Sequence, residues 1–204
     1  MTNASPLPFG TASSPRFLLL NAIAADKSLW KALHARYIVS TRMPDTVFPT
    51  LVDNEKLDDA QRQQLHDIMK TFEKKISECF VLAALDSPAS EEEIAEHIVR
   101  TMNIKTPEGE PDLLRFYDPL VFRNLQGWLF HSGQMEALLG PIKTWHWRDP
   151  DGTWKKYTSS TYTNTNERTL QIREDQWPSL QRMSTLQRVL DSSGVWVIPE
   201  NTSA

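Results

Sequence analysis

Arg115-Phe116-Tyr117-Asp118-Pro119 carries more structural information than any other short stretch of this 204-residue chain. An N-cap aspartate followed by proline at the first helical position is a sharp helix start, because the N–H that proline lacks is one the first turn leaves unpaired anyway. Leu120, Val121, Leu125, Trp128 and Leu129 then recur at helical spacing and supply that helix's apolar face. The residues before it, Asp112 to Tyr117, read as extended chain. Arg115 is spaced to stretch over the Asp118 carboxylate and share it with the helix amides. The bland account is a strand–helix junction held by a salt bridge.

Working back toward the N-terminus, Pro107-Glu108-Gly109-Glu110-Pro111 is turn chemistry, so Asn103–Lys105 and Asp112–Tyr117 are expected to form a hairpin or to neighbour each other in a sheet. Ser90-Glu91-Glu92-Glu93 fits a capping box, followed by Ile94, Ile98 and Met102 on one helical face. Cys79 to Leu85 and Phe17 to Ala24 are short apolar runs that read as buried strands. Between them lie two helices. One is capped by Asp26 with Leu29, Trp30, Leu33 and Tyr37 inward. The other starts at Asp58 or Asp59 with Leu65, Ile68, Met69, Phe72 and Ile76 on one face. Residues 40–56, with Pro44 and Pro49, read as irregular loop.

Working forward, Gly133 and Gly140 bracket a short helix. Ile142 to Arg148 and Trp154 to Thr158 flank Asp149-Pro150-Asp151-Gly152 and read as a hairpin. A last helix is expected over about residues 174–191 from the spacing of Trp177, Leu180, Met183, Leu186, Val189 and Leu190. Val195–Ile198 follows as an edge strand or a tucked apolar tail. The expected fold is therefore mixed α/β: one sheet of about five strands, packed helices and a helical C-terminal portion. Residues 1–15 read as a flexible arm, 16–198 as a single domain and 199–204 as a tail.

Composition narrows the function classes. A formal net charge of −4 and a sequence pI of about 5.7 speak against a nucleic-acid binder and against docking on anionic lipid. The single cysteine, Cys79, forbids an intramolecular disulfide and suits a reducing compartment; in its apolar run it reads as a small buried side chain. No apolar run approaches the roughly 20 residues that span a bilayer, and the first residues lack a signal-peptide pattern. A cytoplasmic location follows as the expectation.

The search for chemistry is mostly negative. No phosphate-binding glycine loop, nucleophile elbow or zinc-binding helix is written here, and the five histidines are dispersed, so neither cofactor nor metal is expected. A hydrolytic site assembled in space from His97, Asp118 and a serine is conceivable. Trp145-His146-Trp147 on a strand sends both tryptophans to one face, and Trp154 on the returning strand can join them. Trp145, Trp147 and Trp154 are thus candidate partner-binding residues, as an aromatic binding face or a sugar platform. The reading preferred on the residues alone is one face of a hairpin packed on a helix.

Strung together, these pieces resemble a known family. Ser90 to His97, Leu113 to Pro119, Gly140-Pro141-Ile142 with Trp145, and Leu170-Gln171-Ile172 with Gln176-Trp177 and Leu180 resemble the adaptor-chaperone domain encoded beside type VI secretion toxins. The resemblance covers roughly residues 16 to 192. Asn21 stands where that pattern has an aspartate. The resemblance implies a non-enzymatic adaptor that binds a toxin and helps load it onto the VgrG spike or its PAAR tip. It gives Arg115 to Pro119 with Gly140 and Pro141 the role of structural motif. The competing readings are a small hydrolase-type effector and a tryptophan-rich glycan-binding module.

Overall fold

The computed structural model describes residues 15–22, 27–38, 48–72, 80–149, 152–160 and 169–183. Its centre is Phe-Leu-Leu-Leu, strand β1 (Phe17–Leu20), buried at every position. Four apolar residues in a row leave no polar face to show to water, so the strand is stable only in mid-sheet with cover on both sides. It pairs antiparallel with β3 (Thr50–Asp53) on one side and β4 (Val81–Asp86) on the other. Beyond them lie β2 (Arg36–Tyr37), β7 (Thr144–Arg148) and β8 (Trp154–Thr158), giving a six-stranded antiparallel sheet in the order β2-β3-β1-β4-β7-β8. β5 (Asn103–Lys105) and β6 (Pro111–Leu113) form a separate two-stranded hairpin, closed at Gly109 with φ +86°.

Alternation along the strands sorts the core into two layers. Leu18, Leu20, Val52 and Ala84 face α1 (Lys27–Ala32) and α2 (Asp59–Phe72), meeting Leu29, Trp30, Leu65 and Met69. The Trp30 ring stacks on Phe80 at 5.8 Å and its indole N–H donates to the Ala22 carbonyl. Phe17, Leu19, Leu51, Leu85 and Trp145 face the other way. Their cover comes from α3 (Glu91–Met102), α4 (Pro119–Asn124), α5 (Ser132–Leu139) and the C-terminal portion through Trp177 and Leu180. Residues 177–183 are helical, following a 3-10 turn at Glu174–Gln176.

The helix starts follow the local chemistry. Ser90 accepts from the Glu93 amide while Glu93 accepts from the Ser90 amide at 2.7 Å, the reciprocal box its spacing predicts. Asp58 and Gln61 make the same exchange at the head of α2, at 2.8 Å each way.

Two expectations need correction. The mixed α/β sheet forms with six strands, and one of them, Thr50-Leu51-Val52-Asp53, buried throughout, lies inside the segment read as loop. The prolines upstream hid a strand whose pairing with β1 is decided by long-range contact. The expected hairpin forms as β5–β6, whereas Tyr37, expected inward on the first helix, lies on β2 and is exposed. Residues 1–14 of the expected arm, the Asp26 cap, Cys79, Pro150 and Asp151 of the turn, the last helix beyond residue 183, Val195–Ile198 and the 199–204 tail lie outside the described residues.

Candidate functional site

The motif residues converge on one joint, and Gly140 is its hinge point. Gly140 closes α5 with φ +53° and ψ −113°, backbone that a side chain strains. A Cβ there would sit 2.2 Å from Cε1 of His97, so the imidazole occupies the space that only glycine leaves open. His97 is buried on α3, its Nε2 2.9 Å from the Leu138 carbonyl and its Nδ1 3.1 Å from the Arg100 guanidinium. A guanidinium only donates, so Nδ1 accepts and Nε2–H donates to Leu138: the ring is the neutral Nε2–H tautomer. Burial pushes its pKa down to about 4, the Leu138 hydrogen bond opposes this, and the Arg100 charge adds to it. Next door, Pro141 offers its carbonyl to the Ser87 hydroxyl at 2.5 Å, and the Lys143 amide donates to the Asp86 carbonyl at 2.8 Å. The histidine of the capped helix and the Gly-Pro turn are thus two halves of one contact.

The Arg115–Pro119 corner meets the same joint through rings. Phe116 is fully buried, 5.5 Å from Trp145, and Phe122 stacks on Trp145 at 4.9 Å with 8° between planes and lies 5.1 Å from Trp147. Such aromatic pairs contribute about 0.5–1.5 kcal/mol beyond area burial. Asp118 caps α4 through the Leu120 amide at 3.0 Å, with Pro119 in the first turn. Arg115 is half-exposed, 3.9 Å from the Asp118 carboxylate and over the Tyr117 ring at 5.9 Å. Burial raises the Tyr117 pKa, an effect the Arg115 charge opposes.

Two of the three tryptophans take the packed-hairpin arrangement rather than an aromatic binding face. Trp145 and Trp147 do share a face of β7, but that face is core, at 0% and 4% exposure. Trp154 pairs with Arg148 and packs, half-buried, against the layer on the opposite side of the sheet. Three coplanar exposed rings, which a sugar platform needs, are therefore not formed. The exposed ring is Trp128, at 61%, which helical spacing places inward. The cause is a π-helical turn at Leu125–Leu129, where the Phe130 amide reaches back to the Leu125 carbonyl at 2.8 Å. In this wider turn residues four and five apart share a face and the residue three apart is turned away. Leu125, Leu129 and Phe130 are accordingly buried, while Trp128 points out and donates its indole N–H to Asn124 Oδ1 at 3.1 Å. Tyr37 is the other exposed large apolar side chain among the described residues.

The C-terminal segment is locked on by amides. Gln134 on α5 and Gln176 exchange side-chain hydrogen bonds at 2.7 and 3.0 Å; Gln176 also donates to the Leu129 carbonyl, and Gln134 to that of Gln171. Glu136, also buried, accepts from Ser159 Oγ and from the amide and hydroxyl of Ser160.

For the hydrolytic reading, both His97 ring nitrogens are engaged by packing contacts and Asp118 Oδ1 by the α4 amide, so this pair is not poised as base and orienting acid. The other buried histidine, His146, has its Nε2 3.1 Å from Oδ2 of Asp86, with burial lowering its pKa and the Asp86 hydrogen bond opposing the shift. Among the described residues no group of three or more His, Cys, Asp or Glu is placed to hold a metal ion. No helix among them is long and apolar enough to cross a membrane.

The profile of one protein family, described as a domain of unknown function (DUF4123), matches residues 17–136, more than half of the chain. No curated protein and no solved structure matches.

Proposed function

Because the chain belongs to the DUF4123 family, we propose that it is an adaptor of bacterial type VI secretion, binding a toxin in the cytoplasm and helping to load it onto the VgrG spike or its PAAR tip. The observation that carries the reading is the family match over residues 17–136, which encloses both the capped helix that carries His97 and the Arg115–Pro119 corner. Of the remaining residues of the resemblance, Gly140, Pro141, Trp145 and Gln176 lie beyond the match and pack onto its elements. What these residues build is a rigid body whose outer surface is left for contact, which suits a protein that works by binding rather than by turnover. An adaptor must also let go at the spike, which suits a partly polar interface.

The test is co-purification of the tagged full-length chain from its native host, with bound proteins identified by mass. The expected result is one large toxin, together with a VgrG or PAAR protein. Recovery of neither, with the chain folded and the toxin expressed, contradicts the proposal.

A further inference from the structure

We infer that the outer edge of β8 is the docking site for an extended, acidic segment of the partner protein, added as a seventh strand; this rests on the adaptor reading above. The hydrogen-bond phase of the β7–β8 ladder decides which groups face outward. The Ser159 amide donates to the Lys143 carbonyl and the Asp149 amide to the Thr153 carbonyl, in a register that pairs Trp145 with Tyr157 and Trp147 with Lys155. Residues 153, 155, 157 and 159 therefore bond inward to β7. The N–H and C=O groups of Lys156 and Thr158 point to the open side, where no further strand pairs among the described residues. Backbone groups at this spacing are recognised by another strand. The opposite edge, β2, is only two residues long and offers far less of such a template.

Charge selects the occupant. β7 and β8 carry Arg148, Lys155 and Lys156 and no acidic residue, on a chain whose formal net charge is −4. Lys155 and Lys156 are exposed on opposite faces of β8, so an incoming strand meets an ammonium on either side. Half-buried Trp154 and Tyr157 flank them, one per face, and give an apolar residue of that strand something to pack on. A second copy of this chain is disfavoured at the same edge, because two β8 strands side by side bring lysines against lysines.

The test is amide hydrogen exchange of the full-length chain, alone and bound to the toxin recovered by co-purification. Binding is expected to slow exchange of the Lys156 and Thr158 amides, which lie outside the β7 ladder. Lys155→Glu with Lys156→Glu is expected to weaken toxin binding on the order of tenfold with unchanged Tm. Lys156→Pro is expected to act likewise, since its N–H lies outside the β7 ladder. Toxin that binds with unaltered exchange at Lys156 and Thr158, and equally well to the charge-reversed variant, overturns the inference and leaves the adaptor reading standing. Slow exchange of the Lys156 and Thr158 amides in the chain alone overturns it too: if independent of concentration the chain covers its own edge, and if dependent a second copy does. A parent chain that binds no toxin fails the adaptor reading itself, and this inference with it.

Discussion

His97 and Gly140 illustrate how two residues from separate motifs become one contact. The ring lies where a Gly140 Cβ would be, so Gly140→Ala meets both a strained φ and a steric overlap. A loss of at least about 2 kcal/mol is expected in urea denaturation. Adding His97→Ala should recover part of it, a coupling that two independent defects would not show. The same ring sets a pH dependence. With a folded pKa of about 4 against an ordinary 6.5, the unfolded chain binds a proton across this window that the folded chain refuses. The contribution of neutral His97 to stability is therefore complete above pH 6.5 and falls by about 3 kcal/mol as the pH drops to 4. Comparing the parent with His97→Gln by urea titration across that range checks it: the parent should lose stability more steeply toward acid.

At the scale of elements, the α4 start was legible because caps are local. Asp118-Pro119 reads from two letters, and the structure supplies the hydrogen bond they imply, from the Leu120 amide to the Asp118 carboxylate. Asp118→Ala is expected to cost about 0.5–2 kcal/mol through the lost cap. Arg115→Ala should cost little, because its side chain is 44% exposed and its ion pair with Asp118 spans 3.9 Å. Thermal melts of the two variants should differ accordingly. The end of the same helix was not legible. Nothing in Leu125-Gln126-Gly127-Trp128-Leu129 announces an i→i+5 turn, and α-helical spacing puts Trp128 in the core. Since its ring is instead exposed, Trp128→Ala should change stability by less than about 0.5 kcal/mol. A loss of several kcal/mol would mean that the ring is buried after all. β3 escaped for a related reason. Thr50–Asp53 has little alternation, because it is covered on both faces, and its identity as a strand comes from its partner Phe17–Leu20 far away in sequence.

For the molecule as a whole, fold class and sheet-facing helices followed from periodicity, while the two-faced core followed from β1 having no polar side. The candidate site was legible only as a set of motifs. Sequence spacing cannot show that His97 lies against Gly140, that Phe116 and Phe122 enclose Trp145, or that Gln134 and Gln176 clasp the C-terminal segment, since each contact joins separate elements. It also could not show that Trp145 and Trp147 face inward, because a paired aromatic strand looks the same whether a helix or a ligand covers it. The central claim, that this packed body loads a toxin, is tested most directly by deleting its gene in the native host and quantifying secreted proteins by mass. The account predicts that one toxin disappears from the medium while VgrG is still secreted, and that restoring the full-length chain restores the toxin. Unchanged secretion of every toxin would contradict it.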